Sequence, residues 1–190
     1  MTPDESARLD ALRAQPPRIV VTSARPAHGT PNLTLSDADV SAVTLPGPEK
    51  PISPRAGSEA GYVALGKKHA KRIFVVSAGL NPSTRLEKLV KALADGHHFE
   101  MSIEEQAATL LTDGLSFSSR EPQLNVFSTF GAFLEGIARE GFEMWRYQRN
   151  LTGSNEGLNV LMHFAHVGAC TGRDHFSGWS LDWINLALGY

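Results

Sequence analysis

An α/β domain built on a mainly parallel sheet is the fold class that residues 58–190 predict, and three observations lead there. Compact β-branched runs alternate with longer helix-like stretches, turn residues mark each change, and the unit repeats along the chain. Residues 1–57 have a different texture. Most of the eleven prolines fall between positions 16 and 57, where little apolar periodicity survives, so this part reads as a Pro-rich N-terminal arm or linker. Within it, 4–14 suits a short helix and Arg18-Ile19-Val20-Val21 a short strand, and neither can build a core.

The elements of the domain follow in order. Residues 58–69 suit a helix with Ala60, Val63 and Ala64 on one face, and 72–77 form a β-branched strand. Thr84 is placed to cap a helix running to Ala94, which Asp95-Gly96 would end. A strand at 98–101, a helix at 103–115, a strand at 124–128, a helix at 131–147 and a fourth strand at 158–165 complete the pattern. In parallel sheets the loops after the carboxyl ends of the strands build the binding site. Those loops follow Val76, Met101, Ser128 and Ala165, and the chemically unusual residues sit on them.

Composition narrows the function classes. The 190 residues are 42% hydrophobic and 20% charged, with a net charge of -2 from interspersed signs, which suggests neither a nucleic-acid nor an anionic-membrane surface. The lone Cys170 excludes an internal disulfide framework and fits a reducing compartment, so a cytoplasmic protein is expected. Met1-Thr2-Pro3-Asp4-Glu5 does not resemble a signal peptide, and no apolar run approaches the roughly 18 residues of a membrane span.

Several side chains invite chemistry. Glu104-Glu105 opens a helix after a strand, where the helix dipole favours a solvated carboxylate without any function. Phe130 and Phe133 suit core aromatics as readily as a cofactor platform. His163, His166 and His175 lie close in sequence, but one cysteine and no pair of chelating motifs leave them short of a structural zinc set. Ser-His-Asp hydrolysis lacks its Gly-x-Ser-x-Gly elbow.

Taken in order, five segments resemble the pyrimidine-binding domain of the transketolase family. Ser53-Pro54-Arg55-Ala56-Gly57-Ser58 resembles the family's opening alanine-threonine-arginine-x-alanine-serine segment. Ser77-Ala78-Gly79-Leu80-Asn81-Pro82-Ser83-Thr84 resembles its serine-alanine-aspartate-leucine-x-proline-serine loop, with Gly79 in place of the aspartate. Ser102-Ile103-Glu104-Glu105-Gln106 resembles the segment that carries the hallmark glutamate, and Thr129-Phe130-Gly131-Ala132-Phe133 the threonine-phenylalanine-x-x-phenylalanine segment. His163 and His175 keep the spacing of two active-site histidines. The later loop departs from the family: Ala169 and Thr171 interrupt its acidic segment, and Asp174 precedes His175 where threonine is usual.

The resemblance implies a three-layer α/β/α thiamine diphosphate-binding fold and a set of roles. Glu105 would share a proton with the cofactor's pyrimidine nitrogen, Phe130 would stack on the pyrimidine, and Phe133 would complete the pocket. Arg55, Ser83 and His163 would hold the phosphate of a ketose donor, and His163 and His175 would act on the substrate. The chain has no glycine-aspartate-glycine segment to hold the diphosphate with Mg2+, so those ligands are expected on a partner chain in a hetero-oligomer with shared sites. The expected reaction moves a two-carbon ketol unit from a ketose phosphate to an aldose or a carrier-bound thiol. A pyruvate dehydrogenase E1-like component acting on a 2-oxoacid, and a catalytically silent assembly partner, are the alternatives.

Overall fold

The computed structural model describes residues 2–14, 31–119, 121–133, 141, 143–144 and 159–165. The expected strand at 18–21, most of the helix expected at 131–147, and His166, Cys170 and His175 lie outside the described residues.

Two helices form in the N-terminal arm. Helix α1, Pro3–Arg13, starts on a Thr2 capping box with Glu5 and buries no side chain. Helix α2, Asp37–Ser41, has the same box between Ser36 and Asp39 and was not anticipated in the Pro-rich stretch. The domain's first helix, α3, Pro54–Lys68, starts four residues earlier than expected. Ser53 Oγ accepts from the Ala56 amide and Pro54 takes the first helical position, so this proline begins a helix where composition suggested a linker.

Strand β1, Ile73–Ser77, leads to the single turn α4, Asn81–Thr84, and then to α5, Glu87–Ala92. One helix capped by Thr84 was expected here. Thr84 instead lies inside α4 with its hydroxyl donating to the Leu80 carbonyl, and Arg85 breaks the run with a left-handed φ of 65°. Strand β2, His98–Glu100, follows a turn at Gly96, and α6 spans Glu105–Ser118. Strand β3, Leu124–Thr129, a short 3-10 turn at Gly131–Phe133, and β4, Val160–Phe164, complete the described elements.

All four strands run parallel in the order β2-β1-β3-β4, so their carboxyl ends form one edge. Alternate side chains divide the core into two faces. Ile73, Val75 and Val126 pack with Leu86, Leu89, Tyr62 and Leu65 under α3 and α5. Val76 and Phe127 pack with Ala108, Leu111 and Leu115 under α6. Helices on both faces of a parallel sheet make the chain α/β. At Gly66 the two helices on the first face meet closely, since a Cβ there would stand 2.6 Å from Leu89 Cδ1. Among the described residues no helix is long and apolar enough to cross a membrane.

Candidate functional site at the carboxyl edge

The residues singled out from the sequence come to this edge from both faces of the sheet. On the α6 side, Glu105 is the first residue of its helix and half-buried. Its carboxylate lies 3.4 Å from the Thr129 hydroxyl at the end of β3, a long hydrogen bond in which Thr129 donates. Glu104, its neighbour, is exposed. The strand alternation that turns Thr129 toward α6 turns the next residue toward α3. There the half-buried ring of Phe130 has the Arg55 guanidinium 5.9 Å from its centroid, within cation-π range. Phe133 is also half-buried, and its amide donates to the Phe130 carbonyl to close the turn.

On the α3 side, Arg55 Nη1 donates to the Ser83 carbonyl at 2.6 Å, while Ser83 itself is exposed. His163, in register with Ser128, reaches the same turn. Its Nε2 lies 3.1 Å from the Thr84 carbonyl, and its Nδ1 lies 3.3 Å from the Tyr62 hydroxyl, with the two rings edge to face. A carbonyl only accepts, so Nε2 carries the proton and Nδ1 accepts from Tyr62. Burial pushes the His163 pKa down, against the Thr84 carbonyl, which raises it. Arg55, Ser83 and His163 therefore do gather around the α4 turn. In this arrangement both nitrogens of His163 are engaged by protein groups, leaving none for a phosphate oxygen.

A second polar group, not singled out from the sequence, fixes the lead-in to Glu105. Glu100, at the end of β2, accepts from the Gly79 amide at 2.6 Å, the Ser102 amide at 3.1 Å and the Ser77 hydroxyl at 2.9 Å. Gly79, where the resembled family has aspartate, has a φ of 76°, and Ser102 one of 56°, so the clasped loop holds two left-handed residues. Asn81 Nδ2 donates to Ser77 Oγ and lies 2.8 Å from His98 Nε2. Burial lowers the His98 pKa, opposed by the nearby Glu100 charge. Glu100 could have been flagged as a strand-end carboxylate, but its amide partners depend on the parallel pairing of β1 with β2.

These residues can do two kinds of chemistry. A half-buried carboxylate and a half-buried aromatic ring reach this edge from opposite faces of the sheet, and these are the group types that a flat heteroaromatic ligand needs as proton partner and stacking surface. An exposed serine and an arginine at a turn suit an oxyanion. Among the described residues no group of three or more His, Cys, Asp or Glu side chains stands together to hold a metal ion. Compared with protein-family models and with curated proteins, the chain matches none.

Proposed function

We propose that this chain is a cytoplasmic subunit of a thiamine diphosphate-dependent, transketolase-like transferase. Its domain would be the three-layer pyrimidine-binding domain of that fold, and a partner chain would supply the diphosphate and Mg2+ ligands. The observation that supports this most is that Glu105 and Phe130 both reach the carboxyl edge of a parallel sheet, Glu105 through the hydrogen bond from Thr129 on the α6 face and Phe130, the next residue after Thr129, beside Arg55 on the α3 face.

When bound, thiamine diphosphate supplies a nucleophilic thiazolium carbon able to cleave a ketose beside its carbonyl. This chain's residues would position and protonate. Glu105 would hold the proton at the pyrimidine ring nitrogen, with Thr129 orienting the carboxylate. Phe130 would stack on the ring, an interaction that typically adds about 1 kcal/mol beyond area burial. Arg55 and Ser83 would bind the donor's phosphate, with Arg55 giving up its hold on the Ser83 carbonyl.

The engagement of His163 by Tyr62 and Thr84 favours a second reading, a 2-oxoacid donor without a phosphate, as in a pyruvate dehydrogenase E1-like component. One assay separates the two. The chain is mixed with a partner bearing a glycine-aspartate-glycine segment, thiamine diphosphate and Mg2+, and turnover of xylulose 5-phosphate and pyruvate is compared. Xylulose 5-phosphate should be the substrate, and Glu105→Gln should lower kcat by about 100-fold or more. Full activity in that variant would remove Glu105 from the mechanism, and turnover of pyruvate alone would remove the phosphate site.

A further inference from the structure

Beside α3 lies an open cleft of about 700 Å3, a volume typical of small-molecule sites. The segment after α2 forms one wall and α3 the other. Val43, Leu45, Ile52, Ala60 and Val63 give it an apolar lining. Leu45 is 50% exposed and Ile52 40%, although both border the cleft, so this lining still meets water.

The charges around it do not balance. Four cations line the cleft, Lys67, Lys68, Arg85 and Lys88, against two carboxylates, Asp39 and Glu59. Lys68 is paired with Asp39, and Lys88 with the buried Glu59 at 2.9 Å. Lys67 and Arg85 have no acidic partner among the described residues, which leaves two uncompensated positive charges over an apolar floor.

Arg85 supplies an independent reason to look here. It holds a φ of 65°, where glycine is the unstrained residue and an L side chain costs energy. A helix-ending turn needs that backbone but does not need a guanidinium. Strain kept at a residue whose side chain then borders a cleft points toward use of the side chain.

We infer that this cleft binds a small amphipathic organic anion, its aromatic or short aliphatic body on the Ala60 and Val63 floor and its carboxylate, sulfonate or phosphate head on Lys67 and Arg85. The site goes beyond the proposed transferase chemistry and does not depend on it. No residue assigned to thiamine or phosphate binding takes part in it.

The test uses the full 190-residue chain and two naphthalene probes of similar shape, 8-anilinonaphthalene-1-sulfonate and the uncharged N-phenyl-1-naphthylamine. Calorimetry should give one sulfonate probe per chain, bound about tenfold more tightly than the neutral probe, as expected for charge-assisted hydrogen bonds to the head. Arg85→Gly should abolish most of that preference while leaving the neutral probe's affinity unchanged and the melting temperature at or above that of the parent. Ala60→Phe, which fills the floor, should remove both probes. Absence of saturable one-to-one binding, survival of binding in Ala60→Phe, or an undiminished sulfonate preference in Arg85→Gly each overturns the inference.

Discussion

The two faces of the sheet are buried to similar depth but by different chemistry. Under α3 and α5 the contacts are aliphatic, with Ile73, Val75, Leu86, Leu89 and Val126 all 1% exposed or less. Under α6 the apolar cluster of Val76, Ala108 and Phe127 is flanked by a buried polar stripe of Thr109, Thr112, Asp113 and Ser116. Most of that stripe is satisfied locally. Thr109 and Thr112 donate to carbonyls one turn back, and Ser116 accepts from the Asn159 amide. Asp113 is the exception, 2% exposed with both carboxylate oxygens unpartnered among the described residues. The contrast separates two ways of stabilising a fold: the aliphatic contacts themselves contribute at every pH, whereas the α6 face also buries a carboxylate whose cost depends on its proton.

Burial pushes the Asp113 pKa from its ordinary 3.8 up to about 7. Between those values the folded chain holds a proton that the unfolded chain has released, so stability falls as pH rises through that window. The loss is complete above about 7. Each pKa unit corresponds to about 1.4 kcal/mol, so the full penalty is at most about 4 kcal/mol. Asp113→Asn should therefore stabilise the protein strongly at pH 8 and little near pH 4, as urea unfolding at the two pH values would show. An equal effect at both would mean that Asp113 is solvated in solution. His98 and His163 act with the opposite sign. Their lowered pKa values mean that unfolding takes up protons as pH falls below the ordinary value of 6.5, so they reduce stability on the acid side.

On the aliphatic face, Leu89→Ala should cost about 3 kcal/mol, through lost transfer energy and the cavity left against Gly66. This loss should be the same at pH 5 and pH 8. A pH-dependent loss would show that the aliphatic contacts are coupled to a titrating group, either His98 or His163 on the same side of the sheet or Asp113 on the other.

The strands were legible because β-branched runs such as Ile73-Phe74-Val75-Val76 are short, buried and bounded by turns. Their order was not, because pairing β1 with β3 rather than only with its sequence neighbour is a tertiary choice. The helix starts misled wherever a cap signal competed with composition. Ser53-Pro54 has the composition of a linker yet starts a helix, and Thr84, a good cap residue, lies inside a turn that Arg85 ends. At the edge, Glu105, Phe130, Arg55, Ser83 and His163 could be singled out, but their partners could not. Tyr62 meets His163 across 101 positions, and Glu100 reaches the Gly79 amide across 21. Asp113 gave no signal, because an aspartate on a helix is ordinarily solvated and only packing shows that this one is not.

The smallest effect compares the two ends of the sheet. Gly79, after the carboxyl end of β1, and Gly96, before the amino end of β2, have nearly equal left-handed φ values of 76° and 78°. A Cβ at Gly96 meets open space, and one at Gly79 lies 3.7 Å from the nearest Ser102 backbone atom, an ordinary contact. Alanine should therefore cost about 1 kcal/mol at either position, entirely from backbone strain. Equal losses in chemical denaturation would mean that the loop clasped by Glu100 can absorb a methyl group. A loss at Gly79 clearly larger than at Gly96 would mean that three hydrogen bonds to one carboxylate hold the Ser102 loop rigid. The lead-in to Glu105 would then be held more firmly by its carboxylate clasp than the turn at the amino end, where His97 donates to the Ile73 carbonyl and stacks on Phe74.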